Sequence, residues 1–474
     1  MTNPRISLAT IPDVIGESAR LDYGEFLHRK LHEGAMHGFE PTWMPSKLFP
    51  FQSAVAEWSI RKGRCAEFAD CGMGKTAMQL TWAENVARKT DGRVLILTPI
   101  AVAFQTVREG EKFGIEVTHR REGLQAGDRI VVTNYERLHY FDPEDFQGVI
   151  CDESSILKEF DGVTRAKVTD FMRKRPYRLL CTATAAPNDH IELGTSSEAI
   201  GEMGATDMLN QFFKKSERVF TRSDEYRSGL YKFRGHAEEH FWRWVCSWAR
   251  AIRKPSDMGF DDGDFKLPAL NVQEHVVTPK NKREGFLFDI PAVGLGEERE
   301  DLRRTLNERC EMASELINAH DRPAVAWCNL NTEGDLLTKL IKGAEQVSGK
   351  DSEEHKEEVF SAFIRGEIKV LVSKPKIAGF GLNLQHCAHQ TFFPSHSYEQ
   401  YYQAIRRSWR FGQKNAVTVD MITTPGQGNV VANLKRKSHQ ADKMFEQLVG
   451  LMWKELKLEK QNDHTKESEV PKWL

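Results

Sequence analysis

The sequence predicts an α/β protein made of two parallel-sheet domains in tandem. Three observations carry that expectation. Short apolar runs recur at 93–99, 128–135, 147–153 and 177–184, and again at 322–329, 368–375, 389–395 and 417–422. Helix-length segments separate them, which is the pattern of buried parallel strands in α/β units. Between the two series the texture changes: residues 211–254 hold 11 Lys or Arg against 5 Asp or Glu, interleaved with aromatic rings. Finally, 474 residues suffice for two to four domains, so each series can have its own core.

Composition narrows the class further. Hydrophobic residues make up 40% and charged residues 28%, as in a globular protein with true cores. Lys plus Arg number 66 and Asp plus Glu 68, so a bulk polycation is excluded, while a local basic surface for nucleic acid is not. The most apolar stretch, 94–104, contains Thr98 and Pro99 and falls well short of the roughly 20 residues of a membrane span. The N-terminus has no signal-type apolar core. The eight cysteines are scattered without a CxxC pair, so reduced thiols are expected.

The first 40 residues match no readable motif. The sharpest local signal is 69–76, Ala-Asp-Cys-Gly-Met-Gly-Lys-Thr, between the apolar run at 65–68 and the helical periodicity after Ala77. Strand, glycine loop and helix in that order can cradle a phosphate. Gly72, Met73 and Gly74 offer backbone N–H groups, and the helix N-terminus adds its dipole. Lys75 is expected at the β- and γ-phosphates and Thr76 on Mg2+. The strict pattern starts with Gly where this chain has Ala69. The metal needs an acidic partner at a neighbouring strand end, and the run 149–153 ends in Asp152 and Glu153. Asp152 is expected to hold Mg2+, largely through water, and Glu153 to orient and deprotonate the attacking water.

With those residues in hand, the chain resembles superfamily 2 helicases and translocases, most closely the Snf2-like branch. The motifs occur in family order from Leu48 to Gln413, most of the chain. Gln52, ahead of the phosphate loop, corresponds to the adenine-reading glutamine; its amide can both donate and accept. Leu97-Thr98-Pro99 resembles the first nucleic-acid motif, and the segment with Thr133 and Tyr135 is close to the family's Thr-x-Tyr-Glu. Thr182-Ala183-Thr184 resembles the motif that couples the ATP site to nucleic acid. Its middle position is usually Gly in the Snf2-like branch.

In the second half, Gly379, Gly381 and Asn383 resemble motif V. The string 403–413, Gln-x-x-x-Arg-x-x-Arg-x-Gly-Gln, resembles motif VI and is the most family-specific in the chain. Gln403 is placed with the coupling residues. Arg407 and Arg410 take the positions of the arginine fingers, permanent forked cations for a developing phosphate charge. Arg406 stands where that branch is usually acidic, and its role stays open.

The resemblance implies two tandem RecA-like domains, parallel sheets flanked by helices, with ATP and Mg2+ in the cleft and a helical insertion between them. The expected division is an N-terminal extension 1–40, a first RecA-like domain 41–205, a basic aromatic insertion and linker 206–270, a second domain 271–445, and a C-terminal helix and tail 446–474. Residues 440–457 alternate charge with Leu, Met and Trp and are expected to form a helix packed on the second domain. In the insertion, Phe212, Phe213, Phe220, Tyr226, Tyr231, Phe233, Phe241, Trp242, Trp244 and Trp248 fit either a small core or a base-stacking surface. His236 and His240 are not an HExxH pair, which leaves a metal site there unsupported.

The implied function is an ATP-hydrolysing motor, a double-stranded DNA translocase or DNA helicase. The alternatives are an RNA-unwinding helicase and an ATP-gated DNA-binding subunit of a larger restriction or replication assembly. The expected partner is double-stranded or branched DNA, with possible protein partners in replication, recombination or restriction and no membrane. The chain shows no chromatin-reader, nuclease or zinc module. By analogy its compactness suits a phage or bacterial enzyme in the cytoplasm of the bacterial or infected cell.

Overall fold

The structure is a computed structural model that describes residues 35–99, 102–215, 231–280, 294–379 and 382–465. Chain order in the first half gives α1 (Pro50–Lys62), β1 (Arg64–Ala69), α2 (Lys75–Thr90), β2 (Arg93–Thr98), α3 (Ala103–Phe113), β3 (Val117–His119), β4 (Ile130–Asn134), β5 (Phe146–Asp152), α4 (Val163–Arg173), β6 (Tyr177–Cys181) and α5 (Leu193–Ile200). Next come α6 (Ala205–Phe212), β7 (Phe213–Lys215), β8 (Tyr231–Phe233), α7 (Ala237–Trp248) and β9 (Ala249–Ile252). The second half contributes β10 (Leu270–Val276), α8 (Leu295–Arg304), α9 (Leu306–Asn318), β11 (Ala324–Trp327), α10 (Asn331–Leu340), β12 (Ala344–Val347), α11 (Glu353–Arg365), β13 (Val370–Ser373), α12 (Pro375–Ala378), β14 (His389–Phe392), α13 (Tyr398–Ile405), β15 (Val417–Thr423) and α14 (Gly428–Thr465).

These form two tandem RecA-like domains. The first sheet has the order β3-β4-β2-β5-β6-β1-β9 and the second β10-β15-β14-β11-β13-β12, both parallel throughout. All eight apolar runs read from the sequence became strands. Parallel neighbours need a crossover, usually a helix, which leaves both sheet faces covered. The central strands are accordingly buried along their whole length, as in β4 and β11. No helix among the described residues is long and apolar enough to cross a membrane. All eight cysteines are free and buried.

The helical segment between the two halves is built into the first domain. It ends in β9, which pairs with β1 in the register Ala66↔Ala249 and extends the sheet. Its aromatics settle the choice between core and base-stacking surface. Phe212, Phe213, Phe241, Trp242, Trp244 and Trp248 are buried in the first domain's core, and Phe213 stacks on Phe233 at 4.5 Å. Large rings bury the most area and pack edge-to-face here. Phe220 and Tyr226 lie outside the described residues. The cations point the other way: Lys214, Lys215 and Lys232 are exposed on the β7–β8 hairpin.

One expectation is corrected. Helix α14 starts on the second domain, where Val431 and Leu434 meet Tyr398 and Met421. Further along, Met444, Phe445, Leu448, Leu451 and Met452 join the first domain's core beside Trp248 and Ala251. Those five positions form a helical stripe, and the buried partner available to it is α7 with β9, not the second sheet. The helix therefore straps the domains together. Arg253 of the first domain adds a stacking contact 4.3 Å over Phe445 and an ion pair with Asp442 at 3.0 Å.

Within β1, Glu67 is fully buried and accepts a hydrogen bond from the Ser59 hydroxyl at 2.7 Å. Burial pushes its carboxyl up to about 7. A carboxyl raised on folding costs nothing below its unfolded value, and the cost grows as pH rises toward the folded value. Glu67→Gln is therefore expected to stabilise the protein by on the order of 2 kcal/mol above pH 7, shrinking toward zero near pH 4. Denaturant titrations at the two pH values check this.

Candidate active site at the domain cleft

Strand β1 ends at Ala69 and α2 begins at Lys75, so the five residues between them turn the chain sharply. Gly72 and Gly74 hold φ of 91° and 82°, a region open to glycine at little cost. A Cβ on Gly74 would lie 2.2 Å from Gln52 Nε2. Gln52, on α1, donates Nε2 to the Met73 carbonyl at 2.9 Å and accepts from the Phe49 N–H at 3.0 Å. Its amide thus braces the loop from the side. Lys75 donates Nζ to the Ala69 carbonyl at 3.0 Å, and Thr76 follows it in the first turn of α2.

The acid pair sits on the strand two places from β1 in the sheet, with β6 between them. Asp152 ends β5, and Gln79 of α2 donates Nε2 to its Oδ1 at 2.7 Å. Burial and the adjacent Glu153 push the Asp152 carboxyl up to about 6. Glu153 has φ 54°, left-handed for a non-glycine residue, a strain found where a side chain must be aimed. Its Oε2 lies 3.4 Å from the Thr182 hydroxyl and 3.4 Å from Gln403 Nε2 of the second domain. Thr182 also accepts from the Thr184 N–H at 3.0 Å. Glu153 is therefore touched both by the coupling segment and by α13.

Helix α13 and the turn after it bring the arginines. Arg407 is buried, donates Nε to the Gln403 carbonyl at 3.1 Å, and has Nη2 3.7 Å from Cys71 Sγ in the phosphate loop. Arg410 donates to the Leu382 carbonyl at 3.3 Å, and its Nε is buried without a partner. Burial and Arg407 push the Arg410 guanidinium down to about 10. Among the described residues neither arginine has a carboxylate within ion-pair distance. Two neighbouring like charges beside a glycine loop, one of them buried, suit a polyanion lying between them.

The donor set fits a nucleoside triphosphate with Mg2+. Lys75, Arg407, Arg410 and the N-terminus of α2 would present positive charge to a phosphate bound there. The Thr76 hydroxyl and the Asp152 carboxylate are hard oxygen ligands of the kind Mg2+ takes.

The residues expected to couple to nucleic acid are mostly inside the protein. Thr98 and Thr133 are buried at the ends of β2 and β4. Tyr135 is buried and donates its hydroxyl to the Asp152 carbonyl at 2.6 Å. Thr184 is buried as well. Gly379 closes α12, Asn383 is exposed, and Gly381 lies outside the described residues. This placement puts Tyr135, Thr182 and Gln403 around the acid pair and leaves Asn383 at the surface.

Sequence reasoning missed three groups. Gln79 orders Asp152, and no motif marks it. Asp70 accepts from the Tyr402 hydroxyl at 2.5 Å and is ion-paired with Arg406 across the cleft. The unexplained arginine at 406 was the one available signal. An aromatic group of Phe49, Phe51, Phe265 and Phe411 closes beside the loop, with Phe411 stacked on Phe265 at 4.2 Å.

Residues 308–412 match the family described as Helicase conserved C-terminal domain, a span that contains β11 to β14, α13 and both arginines. That segment of the chain is similar to the helicase C-terminal domain. Comparison with curated proteins gives no match. Among solved structures, the Sulfolobus solfataricus SWI2/SNF2 ATPase core in complex with dsDNA is similar at 14% identity, covering 81% of this chain and 90% of that one, with a TM-score of 0.41. The matched segment supplies the half of the cleft that faces the phosphate loop.

Proposed function

We propose that this protein is an ATP-hydrolysing motor of the helicase family that moves along double-stranded DNA. The observation that carries the reading is the convergence at one cleft of Lys75, Asp152 and Glu153 from the first domain with Gln403, Arg407 and Arg410 from the second. A cleft assembled from two domains ties hydrolysis to their closure, which is what a motor needs.

Bound Mg2+ would supply charge neutralisation at the phosphates, held through Asp152 and Thr76. The protein's own groups do the rest. Gln52, Lys75 and the loop N–H groups bind and orient the nucleotide, Glu153 takes a proton from the attacking water, and Arg407 and Arg410 stabilise the transferring charge. Double-stranded DNA is favoured by the Snf2-like ending of the 403–413 string and the Thr-Asn-Tyr-Glu segment at 133–136. Lys214, Lys215 and Lys232 offer exposed cations for phosphate contacts. Ala183 favours a second reading, an unwinding helicase, because that position is usually Gly in the translocase branch. Triplex displacement on intact duplex, run beside strand displacement on DNA and RNA duplexes, separates the two. Triplex displacement alone supports the translocase, and duplex unwinding supports the helicase. Protein partners in replication, recombination or restriction belong to the same proposal.

Because the Asp152 carboxyl is raised to about 6, Mg2+ competes with a proton for it below that pH. The Mg2+ concentration giving half-maximal turnover is expected to be flat above pH 7 and to rise steeply as pH falls through 6. A Mg2+ titration at pH 5.5, 6.5 and 7.5 checks this.

A further inference from the structure

We propose that Asp70, Tyr402 and Arg406 form a docking pin that sets the register of α13 on the phosphate loop, and so positions Gln403 and Arg407. The inference rests on the ATP-hydrolysis reading of the cleft and adds positioning residues to it.

Asp70 is a buried carboxylate with both oxygens filled. Oδ1 accepts from the Cys71 N–H at 2.6 Å and from the Tyr402 hydroxyl at 2.5 Å, and Oδ2 accepts from Arg406. Arg406 is only 2% exposed. Its guanidinium lies 4.8 Å over the Trp409 ring and 5.7 Å over the Tyr402 ring, so its faces are covered as well as its edge. Burying an ion pair gains little net stability, because desolvation offsets the attraction, and breaking one partner is far costlier than losing both. What such a pair secures is a single geometry.

The geometry it secures is that of α13 and the turn after it. Tyr402 and Arg406 are one helical turn apart, as are Gln403 and Arg407 beside them. The first pair grips Asp70. The second reaches Glu153 at 3.4 Å and Cys71 Sγ at 3.7 Å. Tyr402 and Gln403 are adjacent on α13, and Arg406 and Arg407 are adjacent in the turn that continues it, with the Arg406 N–H bonded to the Tyr402 carbonyl at 3.0 Å, so fixing the first pair fixes the second. Asp70 directly precedes Cys71 in the loop, so the pin and the finger share one anchor. The contact spans the cleft and exists only while the domains are together.

The test is a double-mutant cycle of Asp70→Asn, Arg406→Gln and the double variant, with the full chain and saturating duplex DNA. Each single change is expected to lower kcat about 10²-fold, the loss typical of a misplaced catalytic group, with KM for ATP nearly unchanged. The double variant should be no worse than the worse single. Tyr402→Phe, which removes one hydroxyl and spares the fold, should lower kcat in the same direction by a smaller factor. Arg406→Lys should recover part of the Arg406→Gln loss. Multiplying losses in the double variant, or a raised KM at constant kcat, would overturn the proposal in favour of independent nucleotide contacts.

A second readout needs no ATP. Hydrogen exchange across 398–410 should speed up in Asp70→Asn and in Tyr402→Phe relative to the unchanged chain. Unchanged exchange overturns the pin. If the unchanged chain hydrolyses no ATP, the activity reading fails and the exchange result judges the pin alone.

Discussion

Lys75→Ala is expected to abolish ATP hydrolysis while leaving both domains folded. Among the described residues the Lys75 ammonium makes a single hydrogen bond, to the Ala69 carbonyl at 3.0 Å, and the residue is only partly buried. Losing one such bond at a site water can reach costs about 1 kcal/mol, a small fraction of a domain's stability. The loop's conformation rests instead on Gly72 and Gly74 at positive φ and on the Gln52 amide. Its helix is held by the apolar side of α2, where Met78, Leu80 and Trp82 are fully buried. The loss is therefore chemical: the only lysine at the phosphate loop is gone. Steady-state hydrolysis and a thermal melt of the variant check both halves. An unchanged rate removes the phosphate-loop assignment.

Arg407→Ala is expected to leave nucleotide binding in place and lower turnover by about 10³–10⁵, the range for removing an arginine finger. Binding survives because Gln52, Lys75 and the loop all belong to the first domain. Turnover falls because Arg407 brings the second domain's charge to the loop at Cys71, and Arg406, which also reaches the Cys71 carbonyl, is held by Asp70. Neutral alanine also relieves the like-charge crowding on Arg410, so the fold should not suffer. Binding of a fluorescent nucleotide and single-turnover hydrolysis separate the two effects. Weaker binding with normal turnover of bound nucleotide contradicts the finger role.

The parts legible in the sequence share one property: they are local. Each buried parallel strand carries its own apolar run, so 93–99, 177–184 and 417–422 announced themselves. The glycine loop and the acid pair were legible because their spacing alone dictates strand, turn and helix. The short strand β12 hid because Ala-Glu-Gln-Val has no apolar run, and β10 hid because an edge strand exposed along most of its length needs none. The seventh strand of the first sheet was concealed behind an aromatic segment whose helix α7 masks the four residues of β9. The C-terminal strap was misassigned because helical periodicity gives a stripe and not its partner. The Asp70–Arg406 contact joins residues 336 positions apart, and only the tertiary fold can bring them together.

The measurement that bears most directly on the central claim is steady-state ATPase of the purified chain, alone and with duplex DNA, single-stranded DNA and RNA, with Glu153→Gln as the blank. The cleft geometry and the motif set predict hydrolysis well above the blank, raised most by duplex DNA. A rate at the blank level with every nucleic acid would contradict the claim that this cleft is an autonomous motor site.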